Sequence, residues 1–186
     1  MKRFVLPCVC MFLWGVAPAS ADLVLKTELV SSTATESVYG VSLIGAVDLA
    51  TYNVEVVLQA AGLTDAAVQV AAWTPGYVFP DASNFFAGVN AAGGEVRVTL
   101  SDFTDPGVDT VEGVNAHLAL ITIDTTALTS PVGLGFDPET LVLATPAGAP
   151  IAGFEELKAS LAIPEPSSLV LSALGGLGLL AAARGR

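Results

Sequence analysis

Histidine, cysteine and basic residues are the scarce ingredients of this 186-residue chain. It has one histidine and two cysteines, and seven lysines and arginines stand against eighteen acids. Both cysteines, Cys8 and Cys10, lie in a leading segment that reads as removable. The remainder then has no thiol, which excludes a disulfide framework, a thiolate metal site and a cysteine nucleophile. A core of about 140 residues can hold such a domain without staples. The dearth of positive charge is sharper in the middle. Residues 22–163 keep only Lys26, Arg97 and Lys158 against seventeen acids, a balance of −14. That surface repels phosphate backbones and anionic lipid, so nucleic-acid and peripheral-membrane roles are excluded. Solubility, a cation atmosphere or a basic partner are the uses it suits.

The two ends each carry a long, mostly apolar run flanked by basic residues. At the front, Lys2 and Arg3 precede an apolar stretch from Phe4 to Val16, and Ala19-Ser20-Ala21 offers small side chains at Ala19 and Ala21. Residues 1–21 thus read as a secretory signal peptide, an apolar helix cleaved after Ala21, and about 13 apolar residues are too few to span the bilayer. Neither cysteine stands at the cleavage site, as a lipoprotein requires.

At the other end, residues 164–186 read Pro164-Glu165-Pro166, two serines, an uncharged stretch from Leu169 to Ala183, and Arg184-Gly185-Arg186. The prolines make an extended spacer. The apolar stretch predicts a short hydrophobic helix, and the arginines predict a cytoplasmic end, leaving the body outside. This ending resembles the PEP-CTERM sorting signal of Gram-negative bacteria. The resemblance implies recognition at Pro164, Glu165 and Pro166 by an exosortase-type processing protease. It implies an inner-membrane-anchored precursor, then a body released or attached at the cell surface, often within extracellular polymer.

Between the ends, residues 22–163 alternate strand-like runs with turn residues and show no helical periodicity. In Ala50–Gln59, Tyr52, Val54, Val56 and Leu58 point one way and Thr51, Asn53, Glu55 and Gln59 the other, as in a strand with one buried face. Glu95–Ser101 repeats the pattern, and Ala91-Ala92-Gly93-Gly94 before it predicts a hairpin with Phe85–Asn90. Further runs are Leu23–Val30, Val38–Val47, Val68–Trp73, His117–Asp124, Val132–Phe136 and Leu141–Thr145. His117–Asp124 has apolar residues at both parities, which fits a strand covered on both faces or a bulged one. Eight or nine such strands predict an all-β jelly-roll sandwich.

The order of runs is similar to that of cohesin-like domains, a jelly-roll sandwich shared with some carbohydrate-binding modules. The pieces that carry the likeness are Leu49–Val56, Gly94–Leu100, Gly113–Thr125 and the closing hairpin Leu141–Ile151 around Pro146-Ala147-Gly148. The Tyr-Asp-Pro usual after the second matching strand is replaced by Leu58-Gln59-Ala60-Ala61-Gly62. The resemblance implies a non-enzymatic module that adheres to a dockerin-like protein or to extracellular polysaccharide. It transfers no binding residue.

Three constellations have chemistry in them. Asp102, Asp105, Asp109 and Glu112 cluster around Pro106 and Gly107. Hard oxygen ligands on a loop suit calcium, although the spacing is not an EF-hand's and a solvated acidic loop is the plainer reading of the same residues. No other cofactor is expected. Trp73 and Tyr77, with Phe79, Phe85 and Phe86, surround Pro75-Gly76 and Pro80; they either form a platform for sugar rings or cap the open end of the core. His117 has no nucleophile-elbow serine to serve, so it reads as structural at a strand edge. Glu155 and Glu156 are adjacent rather than facing across a cleft and read as a solvated stretch after the sandwich.

Overall fold

A computed structural model describes residues 23–151 and 154–155 of the chain. The signal segment 1–21, with Ala19 and Ala21, and the tail 164–186, with Pro164, Glu165 and Pro166, lie outside the described residues. So do the two apolar helices expected there. Among the described residues no helix is long and apolar enough to cross a membrane.

Ten strands form among the described residues: β1 (Leu23–Ser32), β2 (Glu36–Ile44), β3 (Leu49–Gln59), β4 (Val68–Ala72), β5 (Phe86–Ala92), β6 (Glu95–Val108), β7 (His117–Asp124), β8 (Gly133–Phe136), β9 (Val142–Ala144) and β10 (Phe154–Glu155). One sheet runs β10-β1-β2-β7-β4, the other β5-β6-β3-β8, with β9 also on β3. Most connections cross from one sheet to the other, which makes the jelly-roll sandwich expected. The one helical turn described is a 3₁₀ segment, Asp65–Ala67.

The core follows the period-two patterning. Tyr52, Val54, Val56 and Leu58 of β3 are buried beside Val96, Val98 and Leu100 of β6 and face Leu25, Tyr39, Val41, Leu43, Ile121 and Ile123 of the opposite sheet. Each such side chain contributes about 1.5–3 kcal/mol by leaving water. The double parity of β7 has its explanation in a bulge. Val41 pairs with Ala119 but Ser42 pairs with His117, so Leu118 is the extra residue. The bulge lets adjacent Leu118 and Ala119 both be buried.

Several boundaries differ from the sequence expectation. β5 reaches Ala92, so the hairpin turn is Gly93-Gly94 alone, both at positive φ (62° and 88°). Glycine adopts those angles without a Cβ clash, and the turn then follows the twist of its strands. Glu155 belongs to the sandwich rather than to a stretch after it, because Phe154 and Glu155 pair in parallel with Leu23 and Val24.

Candidate functional site

The segment from Trp73 to Phe85 passes from β4 in one sheet to β5 in the other. It is zipped to the start of β7: the His117 N–H donates to the Gly76 carbonyl at 3.0 Å and the Val78 N–H to the His117 carbonyl at 2.8 Å. This turns Tyr77 inward, to 7% exposure. Its hydroxyl donates to Oδ2 of Asp102 at 2.5 Å and lies 2.7 Å from the Tyr52 hydroxyl. A carboxylate only accepts, so the Tyr77 proton is committed to Asp102 and Tyr52 donates to Tyr77. The Phe103 N–H supplies Oδ1 of Asp102 at 2.6 Å. Phe79 and Phe85 stand edge-on to the Tyr77 ring, with centroids 6.3 and 6.1 Å away. Burial pushes both phenols far above the ordinary tyrosine value, and the Asp102 bond adds to the rise at Tyr77.

Trp73 and Tyr77 therefore do not share a sugar platform. Tyr77 belongs to the capped core, and Trp73 lies apart from it, stacked on His117 with ring centroids 3.7 Å apart and planes 5° from parallel. One indole face is covered by the imidazole, and the indole's outer atoms lie over Gly40 of β2. Nδ1 of His117 is 2.9 Å from the Pro75 carbonyl, which holds the ring in place.

The four acids read as one loop are also separated. β6 continues through Asp102 and Asp105 to Val108, so Asp102 keeps the inward parity of Val96, Val98 and Leu100. Asp105 is exposed in the same strand. Asp109 bonds through Oδ1 to the Asp48 N–H and through its carbonyl to Asn115 Nδ2, and Glu112 reaches Lys26 at 3.7 Å. Among the described residues no three acidic or histidine side chains converge as a metal ion would require.

The arrangement that sequence reasoning missed is the outer face of the sheet β5-β6-β3-β8. Arg97 stands there among three carboxylates: Glu55, Asp137 (2.9 Å) and Glu95 (3.4 Å), the last also accepting from Gln59 at 2.6 Å. These partners hold the guanidinium above its ordinary value, Asp137 first and Glu55 second. Beside them β8 presents Gly133 and Gly135, and a trough of about 360 Å³ opens between Arg97, Val57 and Pro138. Farther along the face Phe86 and Phe103 are each 59% exposed, and Val142 is 51% exposed. The outward parity Arg97, Thr99, Ser101, Phe103 is the sequence signal that could have found the second phenylalanine.

Residues 162–186 match the PEP-CTERM protein-sorting motif. The chain thus carries the sorting tail expected of it, the mark of an exported protein held transiently in the membrane. No curated protein matches the chain. Among solved structures the fold is similar to the second type II cohesin module of the ScaA scaffoldin of Acetivibrio cellulolyticus, at 13% identity over 72% of this chain and 91% of that one, with a TM-score of 0.46. It is similar to CaCohA2 of Clostridium acetobutylicum at 20% identity, over 74% and 88%, with a TM-score of 0.46. It is also similar to one chain of a type II Cohesin-X-Dockerin complex from Acetivibrio cellulolyticus at 9% identity, over 72% of this chain and 94% of that one, with a TM-score of 0.44.

Proposed function

We propose that the protein is an exported, non-catalytic binding module that holds a protein partner at the cell surface on the outer face of the sheet β5-β6-β3-β8. The observation that carries this reading is the pair Phe86 and Phe103, large apolar side chains left in water on one sheet face. A neighbouring trough lined by Glu95, Asp137 and Arg97 gives the same face polar anchors. Exposed aromatics ringed by polar groups mark an interaction surface more often than a catalytic one. His117 supports the non-catalytic reading, since Pro75 and Trp73 engage it structurally. The cohesin-like strand order makes a dockerin-like partner the first to try. The matched tail supports processing by an exosortase-type protease at Pro164-Glu165-Pro166, with the body delivered to the surface or its polymer.

The test is binding of the full chain to proteins of the cell envelope and spent medium, comparing wild type with Phe86→Ser, Phe103→Ser and Trp73→Ala. Loss of one defined protein partner with either serine variant, and retention with Trp73→Ala, is the expected result. Retardation by soluble polysaccharide that disappears in Trp73→Ala would replace the protein partner with a carbohydrate one.

A further inference from the structure

The edge of the second sheet has a property that the outer-face reading does not use. β5 pairs with β6 on one side, from Phe86↔Ser101 to Ala92↔Glu95, and among the described residues no strand hydrogen-bonds to its other edge, although β4 and the Asp65–Ala67 turn lie near it. The two-residue turn Gly93-Gly94 makes Ala92 and Glu95 a hydrogen-bonded pair. Alternation then gives Asn90, Gly88 and Phe86 to the β6 ladder and turns the amides of Ala87, Val89 and Ala91 outward. A row of free N–H and C=O groups is a template for another strand, and soluble proteins usually guard it with charge or proline. β5 has neither. From Ala82 to Gly94 there is no charged residue, in a domain carrying −14 over residues 22–163.

We infer that β5 is a self-association edge, along which two copies of this chain pair antiparallel about a twofold axis through Val89. The strand is its own complement in that register. The outward amides of Ala87, Val89 and Ala91 meet Ala91, Val89 and Ala87 of the second copy, so all six outward N–H groups find carbonyls. On the outer face Phe86 falls opposite Ala92 and Gly88 opposite Asn90, so each phenylalanine meets a small residue. Elsewhere two such acidic bodies repel, and the uncharged edge is where they approach at least cost. The isologous contact closes on itself and joins the β5-edged sheets of the two copies into one, rather than growing a fibre. This inference is independent of any partner on the outer face, which the pairing leaves open.

The experiment is sedimentation of the full chain in detergent, wild type against Ala91→Pro. Proline at an outward-facing amide leaves the β6 ladder intact while removing a donor and filling the docking space. The expected result is a wild-type dimer and a β-rich Ala91→Pro protein whose dimerisation is weakened at least about tenfold. Raising salt should tighten the wild-type dimer by screening repulsion. A monomeric wild type at tens of micromolar, a dimer that persists in Ala91→Pro, or a dimer loosened by salt would each overturn the assignment. Should Ala91→Pro fail to fold, Phe86→Cys with Ala92→Cys decides, in a Cys8→Ser, Cys10→Ser background. That pair lies within disulfide reach only across the twofold. A dimer on a non-reducing gel from the double variant, absent from either single one, supports the edge; its absence refutes it.

Discussion

Tyr77 donates its hydroxyl proton to Oδ2 of Asp102, 2.5 Å away, at a point in the core where Asp102 is 3% exposed. Among the described residues no lysine or arginine forms an ion pair with that carboxylate. Its two oxygens are served by one phenol and one backbone N–H. The phenol thus does the work that a cation would do elsewhere, and it ties the β4–β5 crossing to β6 while Tyr52 ties it to β3.

Removing that donor should cost more than removing its neighbour. Tyr77→Phe leaves a buried carboxylate oxygen unpaired and is expected to destabilise by about 3 kcal/mol. Tyr52→Phe removes a neutral hydroxyl at the end of the chain of bonds and should cost about 1 kcal/mol. Urea unfolding of the two variants checks the order. Equal losses would show that the carboxylate does not depend on Tyr77.

The three tyrosines of the chain, Tyr39, Tyr52 and Tyr77, are all buried. Burial raises each phenol above its ordinary 10.0. A group whose folded value is raised contributes stability that is complete below its unfolded value and lost as pH climbs toward the folded one. Alkaline unfolding should therefore begin above pH 10, and tyrosinate absorbance should rise together with loss of the β signal in circular dichroism. Tyrosinate appearing near pH 10 with the sheets intact would contradict the burial of these rings.

The strands were legible because one face of each is buried: Tyr52, Val54, Val56 and Leu58 announce β3 by period two alone. Asp102 was misplaced by its chemistry, since an aspartate four residues before a proline reads as loop. Its parity with Val96, Val98 and Leu100 pointed inward all along. Nothing local could have paired it with Tyr77, 25 residues away on another connection. Capping and a sugar platform were alternatives for Trp73 and Tyr77 that sequence alone does not separate, because backbone bonds to His117 draw these neighbouring aromatics to different sides. β10 was invisible because two residues have no periodicity to read.

At the acid end the carboxylates set the limit. Backbone N–H of Glu139 first, then Arg97, holds Asp137 below its ordinary 3.8. Hydroxyl and N–H groups of Ser83 and Thr126 do the same for Asp81 and Asp124. A depressed group contributes stability above its unfolded value and loses it as pH falls through the folded one, so stability should decline below about pH 4. Asp137→Asn should lower the midpoint of thermal unfolding at neutral pH, and the gap from wild type should close well below pH 3.8. A gap that stays constant with pH would mean that Asp137 acts through packing instead of charge.

The contact between Trp73 and Gly40 offers a sharper test of how the β4–β5 crossing is seated. A Cβ at Gly40 would fall well inside contact distance of the indole carbons Cζ3 and Cη2. β2 is a central strand, paired on both sides with β1 and β7, so the backbone there cannot retreat, and the indole must move. Gly40→Ala should lift Trp73 from His117, costing about 1–3 kcal/mol as overpacking does. Trp73 is the sole tryptophan beyond residue 21, so in chain that has lost the leading segment its fluorescence reports the move directly. The expected outcome is a change in emission maximum with the β-sheet spectrum retained. His117→Ala should change the same emission without the steric cost, because it uncovers the indole face while leaving Gly40 in place. If Gly40→Ala left both emission and stability unchanged, the indole would not rest on that strand, and the seating of the whole crossing against β2 and β7 would have to be redrawn.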